Sequence, residues 1–139
     1  MKKKILGIAL AINLVFSLTA LAGEKDIPVT IPDTPAAIWQ SADKEMDEMS
    51  KMIQAGALKD LHHHAFAVRD LVAALPAHSA SLPADQLEKV TSDSKFVTTL
   101  ADRLDAAGDS NDKTAATSNF EKLKKVLSSI RANYANFSR

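Results

Sequence analysis

Two short stretches of this 139-residue chain carry side chains that could hold a transition-metal ion. The first is Met46-x-x-Met49-x-x-Met52, three thioethers at three-residue spacing. Thioether sulfur is a soft donor that suits Cu(I). The same residues would also fill a core, since methionine is unbranched and adapts to irregular gaps. At about 100° per residue, Met46 and Met49 fall on an apolar helix stripe and Met52 at its edge. The second stretch is His62-His63-His64. Consecutive helical residues diverge by that same angle, so three adjacent imidazoles cannot chelate one ion unaided. A helical pair needs i,i+3 or i,i+4 spacing, which Asp60 and His64 have. His64 flanks Leu61, Ala65 and Val68 and is expected to look inward or into an interhelical groove. His62 is expected to share a face with Phe66, and His63 to be the most exposed of the three.

What brings the two stretches together is a helical hairpin turning near Gly56. In such a hairpin Met52 lies opposite about Leu61 and Met49 opposite about Ala65. A mixed site of Met49, Met52 and His62 or His64 is then expected, with Asp60 or Glu48 nearby. Met/His donors suit copper, whereas Asp60 with His64 alone would admit zinc or nickel. The alternative is a coincidental meeting of core methionines with surface histidines. His78 lies about 14 residues and ~20 Å of helix beyond His64, and reads as a loop residue.

The elements that must position these side chains are helices. Thr34 as N-cap and Pro35 at the first helical position open helix 1, whose stripe is Trp39, Ala42, Met46, Met49 and Ile53, with Gly56 at its end. Helix 2 is expected from about Leu58 to Leu75, stopped by Pro76. Its stripe is Leu61, Ala65, Val68, Val72 and Leu75. Additional apolar residues make it either the most enclosed helix or one whose second face, Phe66 and Ala73 with Arg69 alongside, meets a partner. A loop over Pro76 to Pro83 leads to helix 3, with Leu87, Val90, Val97, Leu100, Leu104 and Ala107 inward and Gly108 closing it. Helix 4 carries Phe120, Leu123, Leu127, Ile130, Tyr134 and Phe137 at alternating three and four spacing. The expected fold is all-α, an antiparallel up-down-up-down four-helix bundle over residues 35–139. Residues 23–34, with the proline-flanked sequence IPVTIP, are expected to form an extended arm before it.

Residues 1–22 have the parts of a secretory signal peptide: Lys2, Lys3 and Lys4, an apolar stretch from Ile5 to Leu21, and the small-x-small pattern Ala20-Leu21-Ala22. A retained membrane anchor is disfavoured by Asn13 and Ser17, against the ~20 apolar residues a span needs. Cleavage would leave 117 residues, one domain's worth, in the periplasm, with no membrane insertion. It would also remove three lysines and no acid, leaving 14 basic against 17 acidic residues and a net charge near −3. Such acidity argues against nucleic acid and against anionic lipid as partners. The chain has no cysteine, which excludes thiolate sites, disulfides and covalent c-type haem attachment. Catalysis finds little support, and the chain is not expected to be an enzyme. No Ser/His/Asp arrangement can be placed, and the E-x-x-H pattern of di-iron bundles is missing, with only Asp60 three residues before His63.

Two resemblances follow from these residues. The helical layout and the stretch EKLKKVLSSIRANYANFSR make the bundle similar to the periplasmic b-type cytochromes of the b562 class. That family implies haem held by a methionine early in helix 1 and a histidine near the end of helix 4. Here helix 4 has no histidine, and Ala135 follows Tyr134 where one would be expected, so haem is not the expected cofactor. The segment LHHHAFAVRDLVAALPAHS resembles one found in small exported bacterial proteins of heavy-metal and copper-resistance settings. That resemblance implies metal binding or sensing in the periplasm, with His62, His63 and His64 as ligands. The expected function is therefore a non-catalytic copper-type buffer, carrier or sensor. The competing expectations are an envelope accessory module docking through helix 2, as a homodimer or on another protein, and a b562-like haem bundle.

Overall fold

A computed structural model describes residues 27–135. The expected signal peptide, the first part of segment 23–34 and Phe137 lie outside the described residues. Among those described, the chain is all-helical, with no strand. Four helices follow in order: α1 (Pro35–Ala55), α2 (Leu61–Ala74), α3 (Ala84–Asp109) and α4 (Lys113–Ala132), with a 3-10 turn (Leu75–His78) after α2. None of them is long and apolar enough to cross a membrane.

Local chemistry sets these boundaries. The Thr34 hydroxyl accepts the Ala37 N–H at 3.2 Å, and Pro35 needs no N–H partner at the first turn of α1. At the other end Gly56 adopts φ 71°, a left-handed conformation that glycine takes without strain. Its N–H reaches the Ile53 carbonyl, and that of Ala57 reaches Met52, closing both orphan carbonyls as a Schellman cap. Asp112 caps α4 by accepting the Ala115 N–H at 2.9 Å.

Three boundaries differ from expectation. First, α2 begins at Leu61 rather than near Leu58, because the left-handed turn at Gly56 sends residues 57–60 across the end of the hairpin with Leu58 buried. Second, Pro76 does not end the helical path at once. Lacking an N–H, it cannot continue an α-helix, and the chain tightens into the 3-10 turn that carries His78. Third, Gly108 is not a terminator. It sits inside α3, where a Cβ would stand 2.7 Å from the Leu58 carbonyl oxygen, so its small size lets α3 approach the α1–α2 link. The left-handed residue after α3 is Asn111, φ 51°.

The α1 stripe is buried as expected (Trp39, Ala42, Met46, Met49, Ile53), joined by Ile38. It meets Leu61, Ala65, Val68, Leu71 and Val72 of α2, Val90, Val97, Leu100 and Leu104 of α3, and Phe120, Leu123, Leu127 and Ile130 of α4 in one continuous core. Burial of each large aliphatic side chain contributes about 1.5–3 kcal/mol. Helix α2 packs on both α1 and α3, and α3 on α4, while α1 and α4 touch more sparsely. Residues 27–32 form no helix or strand, and Val29 and Ile31 pack against the core.

Candidate metal site between α1 and α2

The hairpin places a histidine opposite a carboxylate. His64 Nδ1 lies 2.7 Å from Glu45 Oε2, across the groove between α2 and α1, with both side chains largely shielded from solvent. An ionised carboxylate can only accept, so Nδ1 carries the proton, and in the neutral ring the lone pair is on Nε2. A carboxylate that holds one imidazole nitrogen while the other stays free is the arrangement that orients metal-binding histidines.

Glu45, His63, His64 and Ala67 line one groove together with Ile27, Pro28, Val29 and Thr30, enclosing about 290 Å³. His63 contributes a second imidazole. Its buried Nδ1 has no hydrogen-bond partner among the described residues, and His63 as a whole is intermediate in exposure, like His62 and His64. The coverage comes from residues 27–30, which line the same groove, and from the His62 ring, 3.9 Å away between centroids. An unpaired buried nitrogen costs about 1–3 kcal/mol, a cost that a bound ion or water removes.

The remaining expected ligands are placed differently. Met49 is fully buried in the core and Met52 is half-buried against it; neither lines the groove of His63 and His64. Met46 is buried and borders a separate cleft between α1 and α4, with Asp43, Asp47, Lys124 and Leu127. Asp60 is the exposed N-cap of α2 and makes no capping hydrogen bond. Glu48 is occupied by Lys51 at 2.7 Å. That ammonium holds the Glu48 carboxyl below the usual carboxylate range, and His64 across the hairpin adds a smaller pull the same way. Among the described residues no three His, Cys, Asp or Glu side chains stand close enough together to hold an ion.

Glu45 was missed from sequence. A signal existed, since Glu45 lies four residues before Met49 and seven before Met52, hence on the same side of α1. Counting equal distances from the turn put residues near 65 opposite Met49, whereas Glu45 reaches His64 along its own length and the link of residues 56–60 offsets the two helices.

The residues expected at a partner face are only partly open. Phe66 is half-buried, with the Arg69 guanidinium 4.4 Å above its ring and the His62 ring edge-on at 6.2 Å. Arg69 also donates from Nε to Asp70 at 2.8 Å, while Ala73 is exposed. His78 Nδ1 donates to the Asp33 carbonyl at 3.1 Å, tying the 3-10 turn to the start of α1. Comparison with family models, curated protein sequences and solved structures finds no match.

Proposed function

We propose that this chain is an exported, non-catalytic metal-binding protein of the periplasm, a copper-type buffer, carrier or sensor whose ion sits in the groove between α1 and α2. The observation that carries this reading is the Glu45–His64 pair, in which the carboxylate holds Nδ1 and leaves the lone pair on Nε2; His63, whose buried Nδ1 has no partner among the described residues, lines the same groove. Adjacent helical imidazoles diverge by about 100°, so His64 supplies the first donor and His63 a second through local movement of the first turn of α2; so few donors suit Cu(I) better than the four-coordinate sites typical of structural zinc. Glu45 acts here by orienting His64. Met52, about 10 Å further along the same side of α1, is the thioether best placed to be recruited by local movement.

The finer architecture belongs to the same reading. Short links between sequential helices that pack on one another fit an antiparallel up-down-up-down bundle preceded by an extended arm over residues 23–34, of which 27–30 line the groove, with residues 1–22 removed on export. In that arrangement the arm forms one wall of the metal site.

Titrating the mature protein with Cu(I), Cu(II), Zn(II) and Ni(II) tests the proposal. Cu(I) is expected to bind with a Kd well under about 10 μM, and replacement of His63 and His64 together by alanine to abolish binding. No ion bound more tightly than about 10 μM, or equal binding by the double variant, would overturn it.

A further inference from the structure

The far end of α1 holds a second cavity that the metal site does not use. It encloses about 570 Å³ between the start of α1, the segment after the 3-10 turn and the end of α4. Pro35, Ala36, Trp39, Leu82 and Tyr134 give it apolar walls, and no acidic residue lines it among the described residues. That size falls within the range of small-molecule pockets, roughly 300–1,000 Å³.

Arg131, Trp39 and Thr34 bring donors to it, while the hydroxyls of Ser79, Ser81 and Tyr134 can also accept. Trp39 is more than nine-tenths buried, and its indole N–H, a donor only, has no partner among the described residues. Arg131 lies over the Trp39 ring at 4.5 Å and is held from outside by Asp43, at 2.5 Å from Nη2, leaving other guanidinium N–H groups uncommitted to that contact. The Thr34 hydroxyl oxygen accepts the Ala37 N–H, so its own proton is available to donate. Ser79 donates to the Leu75 carbonyl at 2.5 Å, so at 2.9 Å the Tyr134 hydroxyl must be donor to Ser79. Burial pushes the Tyr134 hydroxyl up from its ordinary value, which keeps this phenol protonated and uncharged. The first turn of α1, whose positive dipole end opens here, carries no acid to neutralise it.

One cation, an unpartnered indole N–H, the free Thr34 hydroxyl proton, a helix N-terminus and apolar walls favour an anionic head on an apolar body. We propose that this cavity binds a small amphipathic carboxylate, its anionic head among Arg131, Thr34 and the start of α1, and its apolar body against Trp39, Leu82 and Tyr134. The unpartnered Trp39 N–H is a second point of attachment for that head, reached by the other carboxylate oxygen as the indole shifts. The site is separate from the metal groove, whose Glu45 lies about 15 Å along α1 from Pro35.

Trp39 is the sole tryptophan, so its fluorescence reports on this cavity directly. The probe is sodium octanoate, with octanol and octylammonium chloride as uncharged and cationic counterparts. Octanoate is expected to give a saturable change with a Kd below about 1 mM, and the two counterparts to bind at least about tenfold more weakly. Arg131→Gln is expected to weaken octanoate about tenfold and leave octanol unchanged. Ala36→Phe, at an exposed wall position that folding does not depend on, is expected to remove binding of every probe. No saturable change up to about 10 mM octanoate, equal affinity for octanol or octylammonium, or undiminished binding by either variant would overturn the proposal.

Discussion

Replacing Gly108 by alanine sets two effects of opposite sign against each other. Gly108 has no positive φ and lies in the last turn of α3, so on helix propensity alone alanine would be favoured by about 0.8–1 kcal/mol. Against this, the new Cβ would stand 2.7 Å from the Leu58 carbonyl oxygen and 3.6 Å from the Leu61 Cβ. No rotamer change relieves the first contact, because the atom is backbone. That same oxygen also accepts the Leu61 N–H at 3.1 Å, and the Leu58 side chain is buried, so the link is held from both sides. Overpacking of this kind costs about 1–3 kcal/mol, and the rigidity of the neighbour argues for the upper half of that range. The net expectation is a loss of about 1–2 kcal/mol, and a melting temperature lower by roughly 5–15 °C. Urea denaturation followed by Trp39 fluorescence and by circular dichroism measures it. Gly56→Ala is the comparison, since nothing lies within 4 Å of a Cβ there and its cost of about 1–2 kcal/mol comes from the left-handed backbone alone. A Gly108→Ala protein as stable as the parent, or more stable, would refute the close approach of α3 to the link that leads into the histidine cluster.

Three further outcomes follow from named contacts. Asp112→Ala removes the side-chain acceptor for the Ala115 N–H and is expected to cost about 0.5–2 kcal/mol in urea denaturation, whereas Asp112→Asn should retain most of that stability. Tyr134 is the sole tyrosine, so its ionisation can be followed by ultraviolet absorbance. Burial raises its pKa in the folded state, so this group's contribution to stability is full below the pKa of an unfolded tyrosine, near 10, and is lost as pH rises through the folded value; a phenolate midpoint at or below that of free tyrosine would contradict the burial. Glu45→Gln keeps the size of the side chain but removes the carboxylate that orients His64, and is expected to weaken Cu(I) affinity about 10–100-fold with little change in melting temperature.

The helices were legible because their stripes repeat at three and four residues: Ala42, Met46, Met49 and Ile53 of α1 and Phe120, Leu123, Leu127 and Ile130 of α4 are all buried. The cap residues Thr34 and Gly56 were equally plain, since their chemistry is local. What pattern did not carry was tertiary contact. Gly108 looked like a terminator because glycine often ends helices, but here it serves a close approach that only the packed structure reveals. The imidazoles illustrate the same limit. The helical angle correctly placed His64 toward the interhelical groove, yet His63 owes its buried nitrogen to a surrounding that includes residues 27–30, more than thirty positions earlier in the chain. The methionines fell on the expected stripe, and it is their burial there that keeps Met49 out of the groove lined by the histidines.

The most direct test of the metal reading is X-ray absorption at the copper edge on the mature protein loaded with one equivalent of Cu(I). A site made by His63 and His64 predicts a first shell dominated by nitrogen with the outer-ring scattering of imidazole, lost in the variant lacking both histidines. A shell dominated by the longer-bonded sulfur, or a spectrum unchanged by the double replacement, would place the copper elsewhere and contradict the account.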